Sequence, residues 1–108
     1  MLKYATPNGN KEIKISPKEA KELLKANKAI LLDIRFEDEE EIISDDFVKR
    51  VNPIRLEKEY PTLPKDKIII TACNTQNRSP FAALFLRKKG YNAKYLLEGL
   101  KALKKEFD

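Results

Sequence analysis

Two apolar runs that lack polar alternation constrain the fold of this chain more than any other feature. Residues 29–34 read AILLDI, with one acid near the end, and residues 67–72 read KIIITA. A strand that is apolar on both faces has to be covered on both sides, which is typical of a parallel sheet between two layers of helices. These runs predict an α/β fold in which residues 67–72 form an inner strand.

Helix signals alternate with the strands along the chain. Ser16-Pro17-Lys18-Glu19 is a capping box that predicts a helix to about Asn27. Ser79-Pro80 repeats the signal as cap and proline, and Gly90 ends the helix that follows. Weaker patterns predict short strands at 11–15, 51–54 and 93–97 and a last helix over 99–103. The alternation predicts a central, mainly parallel five-stranded sheet flanked by helices on both faces.

Length and composition restrict the class of protein. The 108 residues suit one domain, which we expect at 11–108 after a flexible segment at 1–10. No apolar stretch is long enough to cross a bilayer and no secretory signal opens the chain, so we expect a cytoplasmic protein without a membrane partner. One cysteine and no histidine exclude an intramolecular disulfide, a Cys/His zinc site and histidine-dependent catalysis. No metal or other cofactor is expected.

Charge is unevenly distributed along the chain. Residues 33–48 contain eight acids and one base, whereas residues 65–108 contain ten bases and four acids. An anion is therefore expected in the C-terminal part. The acidic residues 36–47, FEDEEEIISDDF, are predicted to be helix or loop, with 36–46 as a solvated face. The lysines lie at helical spacing without interleaved aromatics, so no nucleic-acid partner is expected.

Cys73 is the residue that most suggests chemistry. It follows the second apolar run, begins the polar loop CNTQNR, and precedes a helix start. A helix N-terminus and the charge of Arg78 both favour a thiolate, and loop amides can surround an anion on its sulfur. We therefore predict an accessible sulfur at the bottom of a shallow pocket. A lone cysteine after an apolar strand is also commonly a small buried hydrophobe, and a sulfur among strand side chains would indicate that role.

Five segments, in order and with matching spacing, make the chain similar to a single rhodanese-like domain over about Ser16 to Leu103. They are LLDIR at 31–35, LPKDK at 63–67 followed by III, Cys73 with Arg78-Ser79, LR at 86–87 with GY at 90–91, and Leu96 with Gly99, Leu100 and Ala102.

The resemblance implies sulfur transfer through a persulfide on Cys73. Substrate binding is implied for the loop and helix start, namely Asn74, Thr75, Gln76, Asn77, Arg78 and Ser79. Asp33 and Arg35 would support the site without reacting. The implied partners are a small sulfane-sulfur donor or a protein persulfide and a thiol acceptor, for a monomer or weak homodimer.

Several departures from the family pattern keep a second function open. Gln76 replaces a loop glycine, the segment GHIPGA is absent from 42–55, and Glu98 and Leu103 replace a glycine and a tryptophan. The alternative is a catalytically weak or inactive rhodanese-like module that binds a partner protein. Cysteine phosphatases are disfavoured because they place five residues between cysteine and arginine, whereas four separate Cys73 from Arg78.

The loop composition predicts the preferred sulfur donor. Residues 74–77 are uncharged, so Arg78 is the only formal charge that this loop offers to a doubly charged donor. We expect faster turnover with polysulfide or a protein persulfide than with thiosulfate. Steady-state rates with each donor measure this, and a clear preference for thiosulfate would contradict it.

Overall fold

The computed structural model describes residues 13–35, 42–43, 45–73 and 78–108. Within these ranges one sheet contains β1 (Lys14–Ile15), β2 (Ala29–Asp33), β3 (Val48–Arg50), β4 (Ile68–Ala72) and β5 (Ala93–Leu96). The strand order is β1-β5-β4-β2-β3, and every pairing is parallel. The prediction of a parallel sheet with 67–72 as an inner strand is confirmed, because β4 lies between β5 and β2.

Helices cover both faces of the sheet, as the sequence predicts. The helices are α1 (Pro17–Lys25), α2 (Leu56–Glu59) with a 3-10 turn at Tyr60–Thr62, α3 (Ser79–Lys88) and α4 (Gly99–Phe107). One core cluster joins Ile69 of β4 to α2 and α3, and the other joins Ile70 to α1 and α4. Successive strand side chains therefore enter opposite layers. Among the described residues no helix is long and apolar enough to span a membrane.

The third strand lies earlier than its sequence pattern predicts. The predicted strand at 51–54 is wrong; β3 occupies Val48–Arg50 and pairs with β2 at Leu31↔Val48. The backbone N–H of Val51 still donates to the Asp33 carbonyl at 3.0 Å, but Pro53 has no N–H with which to extend the pairing. The predicted flexible segment at 1–10 lies outside the described residues, as do 36–41 and 44 of the acidic segment.

The two predicted helix caps have different outcomes. Ser16 caps α1, since its Oγ accepts a hydrogen bond from the backbone N–H of Glu19 at 3.2 Å. The prediction that Ser79 caps the next helix is wrong, because Ser79 is the first residue of α3 and Arg78 holds the cap position without a side-chain cap bond. Burial explains the difference: Ser79 is 1% exposed and its carbonyl is bonded to β4, so its backbone is fixed within the first turn.

Helix α4 begins with a strained residue. Glu98 is its N-cap, with φ 64° and ψ −2°, and the following Gly99 has φ 84°. A left-handed backbone costs a residue with a Cβ about 1–2 kcal/mol, whereas glycine adopts it freely. At this strained position the rhodanese-like pattern has a glycine, whereas this chain has Glu98.

Relief of this strain is expected to stabilise the protein. Glu98→Gly should raise the free energy of unfolding by about 0.5–1 kcal/mol, because glycine removes the left-handed penalty. The matched control is Glu22→Gly, an exposed position within α1, which should lower it by about 0.8–1 kcal/mol. Urea unfolding measures the free energy of unfolding of both variants. If both substitutions change it in the same direction, the assignment of strain at Glu98 is contradicted.

Candidate functional site

The carboxyl ends of the central strands bring the predicted site residues together. β2 ends at Asp33, its neighbour β3 ends at Arg50, and β4 leads directly into Cys73. The backbone N–H of Ile34 donates to the Ala72 carbonyl at 3.0 Å, so the exits of β2 and β4 lie side by side. Ligand sites of open parallel sheets form at this edge, where side chains from several loops converge.

Cys73 lies one step beyond β4, on the face that α3 covers. It is 2% exposed and belongs to the same core cluster as Ile34, Leu56 and Ala82. The accessible sulfur predicted from the sequence is therefore wrong for this structure. The reason is the alternation along β4, which turns Cys73 toward the same helical layer as Ile69. Its carbonyl accepts a hydrogen bond from the Leu100 N–H at 3.2 Å, which holds the strand exit against α4.

The first turn of α3 is attached to the strand that positions Cys73. Thr71 Oγ1 donates to the Ser79 carbonyl at 2.8 Å, and both residues are almost fully buried. Half-buried Arg78 precedes this turn, and its carbonyl accepts from the Ala82 N–H at 3.1 Å. The cysteine and the positive end of the helix dipole are therefore both anchored at the end of β4, which favours negative charge there. The Ser79 hydroxyl makes no hydrogen bond with any described residue.

Asp33 and Arg35 form a buried ion pair at the end of β2. Arg35 Nε and Nη2 each donate to a different carboxylate oxygen of Asp33 at 2.9 Å, and both side chains are at most 3% exposed. Arg50 Nε lies 3.4 Å from Asp33 Oδ2, which adds a second cation from β3. This two-point geometry fixes both side chains. A supporting role of the pair in a reaction stays a prediction.

A cleft opens beside this strand edge. It has a volume of about 620 Å³ and lies between the segment after β3, helix α2 and the start of α3. Its lining comprises Ile34, Pro53, Leu56, Glu57, Arg78, Phe81, Ala82 and Phe85. Three of these, Ile34, Leu56 and Ala82, also belong to the core cluster that contains Cys73, whereas Cys73 itself does not line the cleft.

Sequence reasoning did not find this cleft, because its walls come from three separate parts of the chain, at position 34, at 53–57 and at 78–85. The sequence signal that could have indicated the cleft is the pair Phe81 and Phe85, which lie at helical spacing. The structure shows that Phe81 is 76% exposed, so packing in the core does not explain this residue. The predicted binding residues Asn74, Thr75, Gln76 and Asn77 lie outside the described residues. In the part of the chain that is described, no group of three or more His, Cys, Asp or Glu residues can hold a metal ion.

Comparisons with known proteins agree with this architecture. The profile of the rhodanese-like domain family matches residues 16–106. A rhodanese-related protein of Thermoplasma volcanium is 25% identical, with a TM-score of 0.75 over 86% of this chain and 91% of that chain. A rhodanese homologue of Thermus thermophilus is 27% identical, with a TM-score of 0.65 over 82% of this chain and 98% of that chain.

Two further similar structures are named for an activity. An NAD-dependent persulfide reductase of A. fulgidus is 31% identical, with a TM-score of 0.62, but the match covers 74% of this chain and only 14% of that one. The human single-domain sulfurtransferase is 18% identical, with a TM-score of 0.73 over 86% of this chain and 96% of that chain, which is a likeness of fold alone. No curated protein matches the chain.

Loss of the buried carboxylate is expected to destabilise the strand edge. Asp33→Ala removes both carboxylate oxygens that Arg35 Nε and Nη2 bond at 2.9 Å in a buried position, which should lower the free energy of unfolding by about 3–5 kcal/mol. Glu59→Ala is the control, because it removes the exposed 2.8 Å pair with Arg55 and should cost only about 0.5 kcal/mol. Denaturant unfolding compares the two variants. Equal losses of unfolding free energy would show that the buried pair stabilises the protein no more than the pair with Arg55 does.

Proposed function

We propose that this chain, which belongs to the rhodanese-like domain family, is a sulfurtransferase or persulfide carrier that acts through Cys73. The observation that carries the proposal is the position of this cysteine: it follows the inner strand β4 and lies in the same strand-edge region as the start of α3 and Arg78. The name of one similar structure, a persulfide reductase of which the match covers 14%, gives further support.

The proposed reaction has two displacements at sulfur. The Cys73 thiolate attacks the sulfane sulfur of a donor; the bond from that sulfur to the rest of the donor breaks, and its electron pair leaves with the donor. Cys73 then carries a persulfide. An acceptor thiolate attacks the outer sulfur, and the bond from that sulfur to Cys73 breaks and restores the Cys73 thiolate. Sulfur passes from donor to acceptor without any external oxidant.

The start of α3 places positive charge at the strand edge where Cys73 lies. The N-terminus of α3 contributes the partial positive charge of the helix dipole, and Arg78 contributes a full one. The Asp33–Arg35 pair keeps the adjacent end of β2 rigid, so we assign it a supporting role. Shielding from water also protects a persulfide from competing nucleophiles.

The burial of Cys73 favours a second candidate function, a non-catalytic module that binds a partner protein. A 2% exposed sulfur needs local rearrangement before it can meet a donor, and a purely structural cysteine needs none. We favour the sulfurtransferase because Cys73 lies at the end of its strand and not in the middle of the sheet, in a core cluster of which three members also line a cleft.

Intact mass spectrometry separates these two functions. Incubation with polysulfide should add the mass of one sulfur atom to the protein, and Cys73→Ser should abolish the gain without changing the fold. Arg78→Lys should slow loading about tenfold, because the charge remains while one charge-assisted hydrogen bond is lost. Iodoacetamide labelling supplies an independent control, since Cys73 is the only cysteine. Labelling only after denaturation, together with no sulfur gain, would establish the binding module instead.

A further inference from the structure

We infer that the cleft between α2 and α3 is the interface of a weak homodimer, so that its occupant is a second copy of this chain. A two-fold axis runs along the cleft, and Phe81 of each copy enters the cleft of the other. The inference goes beyond the proposed function and does not rest on it, because Cys73 does not line this cleft. It assigns Phe81, Glu57 and Arg78 as the residues that hold the two copies together.

Exposed apolar side chains at the cleft carry the first step. Among the described residues, the large hydrophobic side chains that are exposed are Ile54 and Phe81, each at 76%. Phe81 lines the cleft, and Ile54 directly follows Pro53, which lines it as well. Single hydrophobic residues scattered over a surface need no explanation, whereas exposed ones that adjoin an apolar cleft indicate an interaction surface.

A projecting ring and a cavity on the same surface carry the second step. Phe81 lies in the first turn of α3 with most of its side chain in water. The adjoining cleft of about 620 Å³ has room for more than one aromatic side chain, and most of its lining is apolar. In a two-fold dimer both copies use the same patch, so a patch that contains both a ring and a cavity is complementary to itself. A second copy therefore fills the cleft and covers the ring at the same time.

The charged residues of the lining carry the third step. Glu57 comes from α2 and Arg78 from the start of α3, so the two walls have opposite charges. Within the described residues the Glu57 carboxylate forms no ion pair. A two-fold axis along the cleft exchanges the walls, so Arg78 of one copy faces Glu57 of the partner subunit, and this contact occurs twice. A strongly acidic or strongly basic partner would instead meet a like charge on one wall, which disfavours it.

The size of the patch predicts that the association is weak. A standard interface has about 20–30 residues on each side, whereas eight residues line this cleft. We therefore expect a dissociation constant of about 10–500 μM. Because every contact occurs twice in the dimer, one substitution changes this constant by the square of its effect on a single contact.

Analytical ultracentrifugation of the full chain over a concentration series measures the dissociation constant. Phe81→Ala should raise it about a hundredfold, because the dimer loses two buried rings and each loss costs about tenfold. Cys73→Ser should dimerise as the wild-type chain does, since Cys73 does not line the cleft. Failure of sulfur loading in the same protein then bears on the proposed function and not on the dimer.

Exchange of the charges on the two walls tests the two-fold arrangement itself. Glu57→Arg and Arg78→Glu should each raise the dissociation constant about tenfold or more, because each places like charges opposite one another twice. An equimolar mixture of these two variants should associate as well as the wild-type chain, since both contacts then join opposite charges. Glu22→Arg is the matched control, because Glu22 is an exposed glutamate of α1 on the other face of the sheet; its dissociation constant should stay within about twofold of wild type.

Three results overturn the inference. The first is a wild-type chain that stays monomeric at about 1 mM, which leaves the cleft to a small ligand or an unrelated protein. The second is a dimer whose dissociation constant Phe81→Ala does not change. The third is a mixture of Glu57→Arg with Arg78→Glu that associates no better than either variant alone. Recovery in the mixture supports the inference and also shows that both variants fold.

Discussion

The parallel pairing of β2 with β4 is the constraint on which the rest of the structure depends. Five registered residue pairs run from Ala29↔Ile68 to Asp33↔Ala72, so the two strands end at the same level. Whatever follows each strand is therefore placed at one edge of the sheet: the Asp33–Arg35 pair from one, and Cys73 from the other. Helices on both faces cover these strands, so polar and reactive groups are concentrated at this edge.

Asp33 and Cys73 are both buried at this edge, but their neighbours differ. Asp33 is buried with a cation bonded to both carboxylate oxygens, so its charge is compensated within the protein. Cys73 is buried among apolar neighbours on one side, with the start of α3 anchored to the same strand by Thr71. Cys73 therefore lies where the core meets the N-terminal end of α3. A cysteine in that position is shielded from water, and three members of its core cluster also line an open cleft.

The cleft adds apolar surface to the strand edge, which the charges there do not supply. Arg78 and the helix dipole attract any anion, whether organic or inorganic. The rings of Phe81 and Phe85 add a surface that only an apolar substituent can cover. Two parts of α3 therefore act differently on a ligand. The N-terminus attracts negative charge, and the first two turns present apolar area.

The sequence by itself determined the features that depend on neighbours along the chain. The run KIIITA identified an inner strand, Ser16 identified a helix cap, and five short segments in order and with matching spacing identified the family, because each of these signals is carried by neighbours along the chain. Only the tertiary structure decided the position of β3, the burial of Cys73 and the existence of the cleft. Each of these depends on distant parts of the chain: Val48 pairs with Leu31, and Leu56 and Ala82 share a core cluster with Cys73. Such contacts follow from the register and covering of the sheet, which no single stretch of sequence contains.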